Sequence, residues 1–245
     1  MTGTPGRTRD TAVAVVATTR EVLARPELRE GEGLLAPWER RRLAGIRLPS
    51  RRDDVVASRL LVRLCVARFT GLPPAESTPA QLCPDCGRHG HGRPYLPGQP
   101  GVGVSLSHAD GLVAAAVGPG PVGIDVEPST RRPGPSRILR RLLSETEFAE
   151  AVAQPDPGPA LLRLWVRREA RLKAGRDDLR LVEWTDRDRA AVVTVAGTTA
   201  TTIFTVATAA SPEALSPTGT DSGAPWSPTA SPPPTPTAPR TRPGV

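Results

Sequence analysis

Apolar and polar positions divide the chain into short strands and amphipathic helices between residue 11 and about residue 209. Residues 11–18 (TAVAVVAT) form a short apolar run that predicts a strand. Residues 34–46 predict a short helix with its arginines on one side. Ser50 with Asp53 three residues on has capping-box spacing and predicts a helix start. Over 51–69 Val56, Leu60 and Leu64 share a face, with Arg52, Arg59 and Arg63 beside it, and Gly71 and Pro73 stop the run. After the turn-rich loop LCPDCGRHGHGRPYLPG come three short strands, 103–107, 112–117 and 122–127. Residues 136–143 are helical, and Ser144 with Glu147 is a second capping box opening another helix. Residues 159–174 predict an amphipathic helix bounded by Gly158 and Gly175. The Val/Thr-rich stretch 190–207 predicts one or two strands. Strands alternating with helices give an α/β (α+β) class.

Proline use separates this body from its ends. Residues 211–245 hold ten of the 29 prolines, mixed with Ser, Thr and Gly, a composition that cannot bury enough apolar surface to offset chain entropy. That segment, taken from 210, and residues 1–10 are expected to be disordered. No apolar run approaches the ~20 residues that span a bilayer, and the first residues lack the apolar stretch of a signal peptide. These features predict a cytoplasmic chain with no membrane partner. Three cysteines are too few for a disulfide framework.

The formal net charge is +7, which suggests an anionic partner, although only 3% of residues are aromatic and single-stranded nucleic acid is bound by stacking on rings. The 32 basic residues are 31 arginines and one lysine, Lys173. Arginine dominance also fits a GC-rich coding sequence.

Four constellations carry candidate chemistry. In Gly123-Ile124-Asp125-Val126-Glu127 a strand places Asp125 and Glu127 on one face and Ile124 and Val126 on the other. Two carboxylates on one face repel unless a cation lies between them; a solvated strand face is the plainer alternative. Trp165, Glu169 and Lys173, spaced i, i+4, i+8, share a helix face, where Glu169 and Lys173 also make an ordinary helix pair. The single lysine weakens that plain account, because lysine is a compact point charge that meets a phosphate oxygen where arginine offers a planar fork. Ser107 and His108 end a strand before a turn, in reach of a ligand. Cys83-Pro84-Asp85-Cys86 with His89 and His91 offers four candidate ligands for Zn²⁺, or a tight reduced loop.

In order along the chain, Gly92-Arg93-Pro94, Ser107-His108, Gly123 to Glu127, and Trp165-x-x-Arg168-Glu169-Ala170-x-x-Lys173 resemble the signatures of the 4′-phosphopantetheinyl transferase superfamily. Those signatures are a Gly-(Lys/Arg)-Pro loop, a Ser-His pair, a GIDVE strand and a WxxKEAxxK helix. The match is to the larger, surfactin-synthetase-activating (Sfp) type, over about residues 11–180. The helix around 51–63 resembles the family's arginine-bearing helix, and C-x-x-C followed by His-Gly-Arg-Pro is a common variant of the loop. The resemblance implies two similar α/β halves in a pseudo-dimer, about 11–120 and 121–209, with the active site between them. It implies transfer of the phosphopantetheine arm of coenzyme A to a serine of an apo acyl or peptidyl carrier protein, releasing 3′,5′-ADP. It further implies Mg²⁺ held by Asp125, Glu127 and Glu169, with Glu169 taking the serine proton and Lys173 near the pyrophosphate. Arg51, Arg52, Arg59, Arg93, Ser107, His108 and Lys173 would bind coenzyme A. The folded part is long enough for both halves, which predicts a monomer, and the larger type is usually linked to secondary metabolism.

Arg168 stands where the family has lysine, and no clear counterpart of the family's closing segment follows Gly175. Competing readings are a coenzyme A-binding homologue without turnover, another Mg²⁺-dependent phosphate-ester enzyme, and a zinc-knuckle nucleic-acid-binding protein. The last leaves the carboxylates and Lys173 unexplained.

Overall fold

The computed structural model describes residues 10–83, 85–133, 136–205 and 216–220. In chain order the elements are β1 (Ala12–Thr18), α1 (Thr19–Leu23), α2 (Pro37–Ala44), α3 (Pro49–Thr70), β2 (Ala80–Leu82), β3 (His89–Tyr95), β4 (Val102–Ala109), β5 (Leu112–Pro119) and β6 (Val122–Pro128). There follow α4 (Ser136–Leu142), α5 (Glu145–Val152), α6 (Pro157–Ala174), β7 (Arg180–Asp186), β8 (Ala191–Gly197), β9 (Thr201–Thr205) and β10 (Ser216–Thr220). The class is mixed α/β, as expected. Among the described residues no helix is long and apolar enough to cross a membrane.

Two sheets form the body. The larger runs β10-β9-β1-β5-β4-β3-β2, and the smaller runs β6-β8-β7. Strand alternation sorts their side chains into layers. Val13, Val15 and Ala17 of β1 and Val113, Ala115 and Val117 of β5 face α3, where they meet Leu60, Leu61, Val62 and Phe69. Ala14 and Val16 of β1 and Ala114 and Ala116 of β5 face the other way, onto Ile124 and Val126 of β6 and Val193 and Val195 of β8. The outer face of the smaller sheet carries α6, through Leu162, Val166, Ala170 and Ala174. Each sheet thus has one long helix across its outer face and its partner sheet on the inner one.

Local chemistry explains the helix ends. Pro49 opens α3 at a position where a missing N–H costs nothing, and Leu48 is the cap, so the capping box expected at Ser50 and Asp53 does not form. The box at Ser144 and Glu147 does form, with Ser144 Oγ accepting from the Glu147 N–H. Asp156 caps α6, followed by Pro157, and Gly175 ends it with a left-handed φ of 76°.

The structure adds elements to the expected set. The helix expected over 34–46 is confined to α2, and 190–207 resolves into β8 and β9. Strands β2, β3 and β7 were not expected; β3 is rich in the Gly, His and Pro that otherwise mark a loop. The expected disordered ends lie outside the described residues except for Asp10 and β10. At β10 (Ser216–Thr220) backbone groups pair with the open edge of β9. Its Pro217 is tolerated because this is an edge strand with a register shift.

One close approach sets the distance between α6 and β6. A Cβ at Gly123 would lie 2.0 Å from Ala170 O and 2.6 Å from Ala174 N, both backbone atoms. Gly123→Ala is therefore expected to cost about 3 kcal/mol by overpacking, read by urea denaturation. Gly101→Ala, where a Cβ meets nothing within 4 Å, serves as its near-neutral control.

Candidate active site

Asp125 and Glu127 share the face of β6 turned toward α6, and both are buried. Opposite them, α6 presents the face expected from the i, i+4, i+8 spacing. The Trp165 side chain hydrogen-bonds Glu127, Glu169 feels the charge of Asp125, and Lys173 pairs with Asp125. The helix pair Glu169–Lys173 is therefore not a solvated surface pair: its lysine reaches across to the strand.

Asp125 Oδ1 is held from two sides. It accepts from Lys173 Nζ at 2.6 Å and from Ser107 Oγ at 2.7 Å, while Lys173 Nζ also donates to Ser107 Oγ at 2.8 Å. Ser107 comes from β4, so this triangle ties the larger sheet to the smaller sheet and its helix. Two residues earlier, Ser105 Oγ accepts from the Ile124 N–H at 3.0 Å and holds β6 against β4. Asp125 Oδ2 is buried and has no hydrogen-bond partner.

The carboxylates show the mutual repulsion anticipated from the strand pattern. Burial, then the charge of Asp125, pushes the Glu127 carboxyl up to about 7, against the opposing Arg131 and Trp165 bonds. The same two causes raise Glu169, with Lys173 and Arg168 acting against them. Arg131 Nη1 donates to Glu127 Oε2 at 2.9 Å.

Three cavities meet at His108. One of about 1380 Å³ includes Arg51, Asp54, Glu127 and Arg131; one of about 390 Å³ includes Arg59, Arg93, Ser107 and Lys173; one of about 480 Å³ includes Arg42, Arg47 and Arg51. Burial against the cleft wall holds the imidazole below its ordinary value, and Lys173, Arg51 and Arg59 act the same way against Asp54. Arg59 is buried, lies 5.1 Å from the Trp38 ring centroid and donates to Gln81 Oε1 at 2.7 Å; burial lowers it to about 10, so it stays charged at neutral pH. Arg93 sits at the C-terminal end of α6, where a Cβ on Gly175 would lie 2.0 Å from its guanidinium carbon. A cation there meets the negative end of the helix dipole.

Of the coenzyme A-binding residues expected from sequence, Arg51, Arg59, Arg93, Ser107, His108 and Lys173 surround these cavities. Arg52 instead pairs with Glu32 at 2.6 Å and lines none of the three. Sequence reasoning passed over Arg42, Gln81, Asp54 and Arg131. Arg42 and Gln81 reach the site only through pairing across the fold: Arg42 donates to Gly90 O, and Gln81 Nε2 donates to Gly92 O at 2.9 Å. The arginine side of the 34–46 helix was the one available signal, and Arg42 lies on it.

Asp125, Glu127 and Glu169 do not bring ligand atoms within 4.8 Å of one another; among the described residues Cys83, Cys86 and His91 do. Lys173 holds Asp125 Oδ1 in the geometry seen. The donor set nevertheless fits a hard divalent cation: three carboxylates, one with a buried unpartnered oxygen and two whose proton affinity is raised by burial and by the charge of Asp125.

A match to a known protein family falls on the half of the chain that carries this site. Residues 121–218 match the family model of the 4′-phosphopantetheinyl transferase superfamily. A 4′-phosphopantetheinyl transferase of Bacillus subtilis is 31% identical over 116 residues, which cover 46% of this chain and 48% of that protein. The chain thus aligns with about half the length of that relative. The family match contains β6 and α6, and with them Asp125, Glu127, Glu169 and Lys173.

The raised Glu127 value has a direct consequence for stability. Between 4.5 and about 7 the folded chain keeps a proton that the unfolded chain has lost, so this contribution is complete below 4.5 and disappears as pH rises through 7. In metal-free buffer the thermal midpoint is expected to decline across that window. Asp125→Asn, which removes the second cause of the shift, is expected to flatten the decline; an unchanged slope would contradict repulsion within the pair.

Proposed function

We propose that the chain is a 4′-phosphopantetheinyl transferase of the larger Sfp type, which moves the 4′-phosphopantetheine of coenzyme A to a serine of an apo acyl or peptidyl carrier protein. The observation that carries the reading is the Asp125 carboxylate. One oxygen is locked by Ser107 and Lys173; the other is buried without a partner beside Glu127 and Glu169. The match of residues 121–218 to the transferase superfamily supports the same reading.

Asp125, Glu127 and Glu169 would hold Mg²⁺, which when bound neutralises the pyrophosphate and stabilises charge on the leaving 3′,5′-ADP. The chain's own groups do the rest. Arg51, Arg59, Arg93 and His108 offer cationic or proton-donating groups to the phosphates, where arginine forks suit bidentate contact. Lys173, at the junction of β4, β6 and α6, supplies a compact charge to the pyrophosphate. Glu169 takes the proton from the carrier serine, and its raised proton affinity makes it a stronger base than an ordinary glutamate. The serine oxygen bonds to the phosphorus bearing the pantetheine arm as the bond to the 3′,5′-ADP oxygen breaks. The net charge of +7 favours acidic carrier proteins. The Ser107, Asp125 and Lys173 cluster is complete within one chain, which favours a monomer as the working unit.

Incubation with coenzyme A, Mg²⁺ and a panel of apo carriers is expected to raise the carrier's intact mass by one phosphopantetheine. Coenzyme A binding without any mass gain would instead mark a homologue without turnover. Asp125→Ala and Glu169→Ala are each expected to lower transfer at least ~100-fold in protein that remains folded by circular dichroism; near-normal rates would remove the carboxylate site. Lys173→Arg tests the point charge separately. It preserves the sign of the charge and is expected to slow transfer about tenfold or more, since a planar fork does not fit between Ser107 and Asp125.

A further inference from the structure

We propose that Cys83, Cys86 and His91 bind a structural Zn²⁺ ion that staples the β2–β3 hairpin and so fixes Arg93 at the cleft. The three ligand atoms lie within 4.8 Å of one another. Cys86 Sγ is 3.4 Å from His91 Nδ1, facing it. Tetrahedral zinc, with bonds of about 2.3 Å to sulfur and 2.0 Å to nitrogen, places these two atoms about 3.5 Å apart. The turn has the form of a knuckle. Backbone N–H groups of Asp85 and Cys86 point at the Cys83 sulfur, the Gly87 N–H returns to Cys83 O at 2.9 Å, and Gly87 turns the chain with a φ of 63°. His89, the fourth candidate in the sequence, is not part of the group. The remaining coordination position goes to water or to Asp85, whose Oδ2 is 3.9 Å from Cys83 Sγ.

Besides the Gln81 to Gly92 bond and a Cys83 N–H donation to Arg88 O at 3.1 Å, the hairpin's own pairing is short. β2 has three residues, its register with β3 shifts between Gln81 and Leu82, and the β3–β4 pairing consists of Tyr95 opposite Gly103. The knuckle is nevertheless packed tightly beneath the loop that carries Arg93. A Cβ at Gly92 would lie 2.9 Å from Leu82 O and 3.0 Å from Cys83 Cα. A metal bond between Cys83, Cys86 and His91 spans the hairpin two residues before Arg93, and converts a weakly paired edge into a fixed one. The ion lies outside the carboxylate cluster, so its presence is read without any assay of transfer.

The test is metal content. Full-length protein purified under reducing conditions from zinc-replete medium is expected to carry one zinc per chain by mass spectrometry of the metal. Replacing the zinc with Co²⁺ is expected to give thiolate-to-cobalt charge-transfer bands and the visible bands of a tetrahedral site. Cys86 and His91 are exposed, so Cys86→Ser and His91→Ala are expected to keep the fold by circular dichroism. Cys86→Ser should fall to about a tenth of the wild-type zinc content or less, and His91→Ala should weaken zinc at least ~10-fold in chelator competition. In hydrogen exchange, chelation should speed exchange over residues 88–95 and leave residues 157–174 unchanged. Protein without zinc that also develops no cobalt bands would overturn the site, as would a folded Cys86→Ser variant with undiminished zinc. Unchanged exchange at 88–95 after chelation would overturn the staple.

Discussion

The approach of α6 to β6 at Gly123 is the constraint on which the site depends. With backbone atoms of the helix 2.0 and 2.6 Å from where a Cβ would stand, only glycine allows this separation. At that separation Trp165, Glu169 and Lys173 are in reach of Glu127 and Asp125, and one turn of helix corresponds to two residues of strand. A wider gap would draw Lys173 away from Asp125 and Ser107. The small side chains Ala170 and Ala174 on the same helix serve the same end, since they keep the interface thin.

Cations in this molecule divide by task. Arginines form planar pairs that hold elements together: Arg63 of α3 with Glu39 of α2, Arg189 bridging Glu21 and Asp186, and Arg167 of α6 with Glu183 of β7. Arg63 is fully buried, and such a pair is valued for the specific arrangement it enforces more than for net stability. Its partner Glu39 also lies 3.7 Å from Arg59, which carries that arrangement to the cleft. Lys173 does something a fork does not. It places one ammonium against a hydroxyl and a carboxylate from two different strands, and it remains partly exposed to the cavity.

Much of this was visible in the amino-acid pattern, and the rest was not, for physical reasons. Alternation along 122–127 placed both carboxylates on one face because a strand's period is fixed. Helical spacing placed Trp165, Glu169 and Lys173 together for the same reason. Ser50 misled because Pro49 is the stronger start signal and Leu48 needs no side-chain bond to precede it. β7 escaped notice because Arg180, Glu183 and Asp186 interrupt its apolar positions, and its partners were needed to identify it. Cysteine spacing marked the knuckle, but His89 and His91 lie on the same side of a strand by alternation. Only the turn at Cys86 selects His91. The difference between Arg51 and Arg52 is likewise tertiary: Glu32 removes one of them from the cleft.

The parallel pairing of β1 with β9 joins Ala12 to Thr201 and Val16 to Thr205. A contact across nearly the whole body is among the slowest kinds to close, because the loop entropy must be met before the pairing gives anything back. During synthesis β1 can find β5 early, but its other edge stays open until residues 201–205 have emerged. The molecule therefore spends most of its translation with one edge of the apolar strand β1 unpaired, and β9, which carries β10 on its other edge, closes that edge.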